Sequence, residues 1–200
     1  NHSGQLVAAS CTSECIATFT INGEFLLLDK IGNEIMNHNF SFIPNRIAAC
    51  EKYAAFSIWG TEEVILFSKN METISIPSKA VDIIFSSDSL LILEDKSIIK
   101  QLKEGKVTEE IFLEGSHSRF VSTDDGIVVC GEYPAILRDD NLYALSIRPF
   151  SSADYLDDML IYIENNIVNL CNVSNPRISI QQRDIVTNIY NSLQLVWGGF

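Results

Sequence analysis

The chain is poor in the residues that usually carry chemistry. Its 200 residues include three histidines, His2, His38 and His117. It has no Gly-rich phosphate loop, no H-E-x-x-H and no C-x-x-C pair, so phosphate cradling, zincin-type hydrolysis and dithiol exchange have no motif to rest on. Apolar runs are short (FLLL, VILF, LLIL, GIVVC), far below the ~20 residues of a membrane-spanning helix. Cations are scarce, with 14 Lys+Arg against 26 Asp+Glu and a net charge of −12. Phosphate backbones and anionic lipid surfaces are recognised through Lys and Arg, so direct binding to nucleic acid or membrane is not expected. A basic protein partner is compatible with this charge.

The five cysteines, Cys11, Cys15, Cys50, Cys130 and Cys171, are odd in number and mostly lie in or beside apolar runs. They predict no disulfide framework and favour a reducing compartment, nuclear or cytoplasmic. Cys11 and Cys15 lack a second Cys/His pair nearby, so no metal site is expected. No cofactor is expected either. The start at Asn1 rather than Met predicts a trimmed N-terminus.

Helical periodicity is also lacking. What is present is a hydrophobic fraction of 46%, enough for a core in one domain spanning 1–200. It is cut into runs of four to six residues rich in Ile, Val, Phe and Leu, the pattern of many short strands. Six segments read as strand, polar turn, strand: from Cys15, Tyr53, Asp88, His117, Asp158 and Asp184. Their turns are centred at Gly23, Thr61, Lys96, Gly126, Asn166 and Ser192. Gly and Asn supply the positive φ of tight hairpins. Thr61, Lys96 and Ser192 are poorer turn formers and predict longer or type I turns. The spacing, about 26 to 40 residues, is in the range of propeller blades. A single hairpin cannot bury both its faces, so the units must stack, and a closed ring protects the end units. The fold class expected is all-β, a β-propeller of about six short blades. A β-sandwich is the competing architecture.

Three stretches carry a family resemblance. GSHSRFVSTDDGIVVCGE, Gly115 to Glu132, resembles the first part of the repeat G-x-x-H-S-x-A-L-T-x-D-G-x-V-Y-x-W-G-x-N-x-x-G-Q-L of the regulator of chromosome condensation family, one residue short at its start. NSLQLVWGG at the C-terminus resembles the D-G-x-V-Y-x-W-G part, and the opening NHSGQL matches N-x-x-G-Q-L. The resemblance implies a compact, divergent member whose ring is closed by strands from both termini. Gln5 would bond turn backbone, and Leu6 would pack inward. It also implies a structural role for His117, bonding backbone carbonyls between blades. A WD-repeat propeller is the main competitor, although its Gly-His and Trp-Asp marks are absent.

No residue is expected to be catalytic. Ser122 and Thr123 beside Asp124 and Asp125 read as a turn, and Trp59 and Trp197 read as blade packing. The acid-bearing turns are the candidate partner surface: Asp124, Asp125, Asp139 and Asp140, with Tyr133 and Tyr155 for contact area. The function expected is a non-catalytic protein-interaction propeller. The resemblance implies guanine-nucleotide exchange on a Ran-type small GTPase. The alternatives are an adaptor subunit in tRNA-modification or diphthamide pathways, a WD-repeat-like scaffold, or an enzyme using a carboxylate pair in the central channel.

Overall fold

Apolar runs flanked by turn residues become strands throughout. The structure, a computed structural model, describes residues 4–145, 149–150, 152–156, 158–164, 167–173 and 181–184. They form five four-stranded antiparallel sheets, each a meander of consecutive strands. Sheet I holds β1 (Leu6–Cys11), β2 (Cys15–Thr20), β3 (Glu24–Asp29) and β4 (Glu34–Asn39). Sheet II holds β5 (Pro44–Ala49), β6 (Tyr53–Ile58), β7 (Glu63–Ser68) and β8 (Thr73–Pro77). Sheet III holds β9 (Ala80–Ser86), β10 (Ser89–Glu94), β11 (Ile98–Lys103) and β12 (Lys106–Phe112). Sheet IV holds β13 (His117–Thr123), β14 (Gly126–Gly131), β15 (Ala135–Arg138) and β16 (Asn141–Ala144). Sheet V holds β17 (Ala153–Leu156), β18 (Met159–Glu164), β19 (Ile167–Asn172) and β20 (Gln181–Asp184). The sheets start roughly 37 residues apart, a more regular repeat than the hairpins suggest.

The chain divides into two compact units, residues 1–113 with sheets I to III and residues 114–200 with sheets IV and V. In the first unit β1 lies beside β5 and β5 beside β9. In the second, β13 lies beside β17. Within each unit, the first strand of one sheet therefore neighbours the first strand of the next. Four of these first strands carry a register shift: at Leu6/Ala8, at Pro44/Arg46, at His117/Arg119, and where Leu93 and Glu94 face Asp82 and Ala80. Such a bulge inserts one extra residue and bends the strand.

Continuous apolar runs follow from stacking. Alternate residues of a strand face opposite sides. On sheet II, Ala54, Phe56, Ile65 and Phe67 pack against Phe19, Phe25 and Leu27 of sheet I. Their neighbours Ala55, Val64 and Leu66 pack against Ile83, Leu90 and Ile92 of sheet III. Sheet II is buried on both faces, so VILF carries no polar alternation. Sheets IV and V share a core of Val121, Val128, Cys130, Ile136, Leu160, Tyr162 and Cys171. The fourth strands β8, β12 and β16 are largely exposed.

Several expectations change. The turn at Lys96 is longer than two residues, as expected: Asp95, Lys96 and Ser97 lie between the last pair, Glu94 and Ile98. Its conformation is not type I, because Asp95 and Lys96 stand at φ 46° and 66°, with Ser97 N–H donating to the Glu94 carbonyl at 3.1 Å. Leu6 is 53% exposed rather than packed inward. The Gln5 carbonyl accepts from Ile21 N–H, so the Gln5 contact with the turn runs through backbone. His117 is buried, and its Nε2 lies 3.0 Å from the Tyr133 carbonyl of its own sheet, not of a neighbouring one. Trp59 is 78% exposed and packs into no core. The hairpin read from Asp184, the turns at Asn166 and Ser192, the ring-closing C-terminal strand and Trp197 lie outside the described residues.

Candidate interaction surface

The sequence-predicted acids sit on turns at one end of sheet IV. Asp124 and Asp125 join β13 to β14, and Gly126 follows at φ 144°. A Cβ on Gly126 would lie 2.3 Å from the Leu137 carbonyl, so only glycine fits beneath β15. Asp139 and Asp140 make the tight turn between β15 and β16, both at positive φ. Asp tolerates that region better than most residues. Arg138 ties the two turns together: its Nε donates to the Asp125 carbonyl at 2.8 Å, and its Nη2 lies 3.9 Å from Asp125 Oδ1.

Tyr155 of sheet V reaches the same end. Its hydroxyl lies 3.4 Å from Asp124 Oδ2 and 3.4 Å from Asp158 Oδ1, and its one proton can serve either carboxylate. Partial burial and the charges of Asp124 and Asp158 hold the phenol above its ordinary pKa. The structure thus brings Tyr155 to Asp124 and Asp158, with Asp125 beside Asp124 and Asp139 and Asp140 on the next turn at the same end of sheet IV. It places Tyr133 elsewhere. Tyr133 lies in the link from β14 to β15, at the opposite end of sheet IV, 57% exposed, with its ring over Gly115.

An acidic turn recurs within every sheet. The turn after the first strand of every sheet holds an acid: Glu14, Glu51, Asp88, Asp124 with Asp125, and Asp158. A carboxylate recurring roughly every 37 residues was the signal that could have found it. In the first unit lysines answer some of them. Lys30 Nζ lies 2.9 Å from Glu14 Oε2, which lowers the Glu14 pKa, and Lys52 pairs with Asp88. No lysine occurs after Lys106. Carboxylates beside a phenol on exposed turns can accept hydrogen bonds from cationic side chains and offer apolar contact.

No protein-family profile matches this chain, and no curated protein matches it. Solved structures do. The WD40 domain of Neurospora crassa Pan2 superposes with a TM-score of 0.61 at 11% identity, over 88% of this chain and 64% of that one. The WD40 β-propeller domain of Doa1 gives 0.57 at 11%, over 90% and 69%. The fold is that of a β-propeller. Streptogramin B lyase gives 0.63 at 12%, over 90% of this chain and 68% of the lyase. The chain spans 64% of the Pan2 domain, and 28% of the Porphyromonas gingivalis type-IX secretion component PorZ. These likenesses are to WD40 and other propellers, not to the chromosome condensation regulators in particular, and at such identity they concern the fold alone.

Proposed function

We propose that the chain is a protein-interaction propeller that presents the acidic turns of its second unit to a basic protein segment. The observation that carries this reading is the placing of Asp124 and Asp158 at the Tyr155 hydroxyl, with Asp139 and Asp140 on the next turn at the same end of sheet IV. Propeller turns are where rigid sheets display variable contact residues. Carboxylates steer a cationic partner, while an aromatic ring supplies contact area at small entropic cost. The test is calorimetric titration with a lysine- and arginine-rich peptide at low and high salt. Binding should weaken as salt rises, and the double variant Asp124→Asn/Asp158→Asn should weaken it roughly tenfold. Salt-independent binding, or binding unchanged by the double variant, would reject this surface.

The resemblance of Gly115–Glu132 to the chromosome condensation regulators supports one finer form, nucleotide exchange on a Ran-type GTPase. Exchange needs only preferential binding of the nucleotide-free GTPase, not bond chemistry. Release of a fluorescent GDP from such a GTPase, with and without this protein, separates it from the adaptor form. Acceleration supports exchange. Unchanged release, with the acidic end still binding basic peptide, leaves the adaptor or scaffold form.

A further inference from the structure

Sheet I is packed on one face only. Toward sheet II it turns Cys15, Ala17, Phe19, Phe25 and Leu27, all at most 1% exposed. Its other face follows from the register. Cys11 pairs with Ile16 and Ile16 with Leu28, while Ala9 pairs with Thr18 and Thr18 with Leu26. Directly paired residues share a face, so these six lie together, opposite the packed set. Cys11, Ala9 and Ile16 are exposed, and Thr18, Leu26 and Leu28 are half-buried. Thr18, the one hydroxyl among them, donates to the Leu26 carbonyl at 3.4 Å, so it needs no outside partner. Glu34 and Asn37 of β4 pair with Leu28 and Leu26 and rim the same face, both exposed.

Sheet II shows what these positions do when covered. The pairs Ile16–Leu28 and Thr18–Leu26 correspond, strand for strand, to Ala54–Phe67 and Phe56–Ile65. In sheet II those four residues are buried against the sheet before it. The open face of sheet I is therefore the kind on which a preceding sheet stacks, and its six central positions carry no charged side chain. The Pan2 WD40 domain, of which this chain spans 64%, has length for roughly two more four-stranded sheets. Charge narrows the occupant. A second copy carries −12 and is repelled, whereas a basic chain is attracted, and Glu34 stands at the rim to receive it. We propose that the open face of sheet I docks a β-sheet segment of a partner polypeptide, apolar on the side it turns to Ile16, Leu26 and Leu28 and bearing lysine or arginine at its edge. The surface uses no residue of the acidic turns in the second unit.

Cys11, the one exposed thiol among the described residues, reports occupancy. The probe is a backbone-cyclised hairpin of about 14 residues, valines on one face and lysines on the other, preorganised so that little freedom is lost on docking. Alkylation of the full chain by iodoacetamide is followed cysteine by cysteine by peptide mass mapping. Saturating probe should slow the reaction at Cys11 about tenfold and leave Cys50 unchanged. Ile16→Lys should abolish the protection, and Glu34→Gln should raise the half-saturating probe concentration roughly threefold. Asp124→Asn/Asp158→Asn should change nothing here, which separates the failure of this surface from that of the acidic turns. No protection up to about millimolar probe, with circular dichroism intact, would overturn the proposal. Equal protection by a hairpin of the same composition, with both residue types mixed on both faces, would do the same. Cys11 that reacts slowly without probe at every protein concentration would mean that the chain covers this face itself. Slowing only as protein concentration rises would mean that a second copy does. Either result overturns the proposal. If Ile16→Lys does not fold, Ala9→Lys, exposed on the same face, must abolish the protection, and retained protection overturns it.

Discussion

The two units build the same meander with different side chains. Between sheets I and II the first unit packs Phe19, Phe25, Phe40, Phe42, Phe56 and Phe67, with Phe25 and Phe56 edge to face at 5.1 Å. The second unit fills its core with Val121, Val128, Ile136, Leu160 and two thiols, and among its described residues the one ring pair is Phe150 stacked on Tyr162 at 4.5 Å. The surfaces differ as well. Lysines answer turn acids in the first unit, while arginine is the sole strongly basic residue type of the second. Sheet stacking therefore demands only apolar bulk of the right volume, and it leaves each unit free to choose what its turns display.

The largest effect should come from the aromatic cluster. Phe56 touches Phe19, Phe25, Phe40 and Phe42 at centroid distances of 5.0–5.8 Å. Phe56→Ala should cost about 3–5 kcal/mol, because the surrounding rings cannot collapse into the space. Leu160→Ala in the second unit should cost about 2–5 kcal/mol, nearer the lower figure because slimmer side chains close the gap more readily. Urea unfolding of both variants checks this. Equal losses would mean that the aromatic cluster is no more rigid than the aliphatic one.

The next effect tests what the units share. A Cβ on Gly23 would lie 2.1 Å from the Phe40 carbonyl at φ +86°, and one on Gly126 would lie 2.3 Å from the Leu137 carbonyl. Both glycines pass beneath a neighbouring strand end. Gly23→Ala and Gly126→Ala should each cost more than about 1 kcal/mol. If either variant unfolds at the same urea concentration as the parent, that turn is not held as the structure shows.

The hairpins from Cys15, Tyr53, Asp88 and Asp158 are legible because second and third strands are the most apolar of each sheet: β6, β7 and β10 are buried on both faces, while β2, β3 and β18 bury alternate residues. The repeat was misphased at His117. There the readable hairpin is β13 with β14, because the link at Glu132–Pro134 hides the join from β14 to β15. Fourth strands such as TISIP and KVTEEIF could not be read, since an exposed outer strand needs no apolar face. In the candidate surface, Asp124 and Asp125 are legible as a turn from Asp-Asp-Gly, and the short β15 brings the Asp139–Asp140 turn back to the same end of sheet IV. Tyr133 went astray because strand direction, not nearness in sequence, decides which end a turn occupies. Trp59 reads as blade packing in the sequence, but it lies in the turn after β6 and is exposed.

Smaller effects separate the units by pH. In sheet III Glu94 is pushed up by burial, but the Lys100 ammonium at 2.6 Å and the Lys79 backbone leave its pKa below the ordinary value. A lowered carboxyl stabilises the fold above its unfolded pKa, and that share is lost as pH falls through the folded value. In sheet V Tyr155 is raised, so its share is present below the unfolded phenol pKa and lost as pH rises through the folded one. Glu94→Gln should flatten the acid limb of a stability–pH curve, and Tyr155→Phe the alkaline limb. The exchange of those two outcomes would refute both assignments.

The smallest effect divides the first unit itself. The turn from β3 to β4 and the turn from β7 to β8 have the same bonds. Gly32 N–H donates to the Asp29 carbonyl at 3.0 Å, and Met71 N–H to the Ser68 carbonyl at 2.9 Å. Asp29 and Ser68 N–H each donate to the residue four further on, both at 2.9 Å. The left-handed position is glycine in sheet I, at φ 92°, and methionine in sheet II, at φ 66°. An L-residue there costs about 1–2 kcal/mol, of which glycine recovers part while adding freedom to the unfolded chain. Met71→Gly should therefore stabilise by about 0.5 kcal/mol, whereas Gly32→Met should destabilise by a similar or larger amount. The urea midpoint should move up for the first and down for the second. A Met71→Gly midpoint below the parent's would mean that the exposed methionine contributes contacts that outweigh its strain.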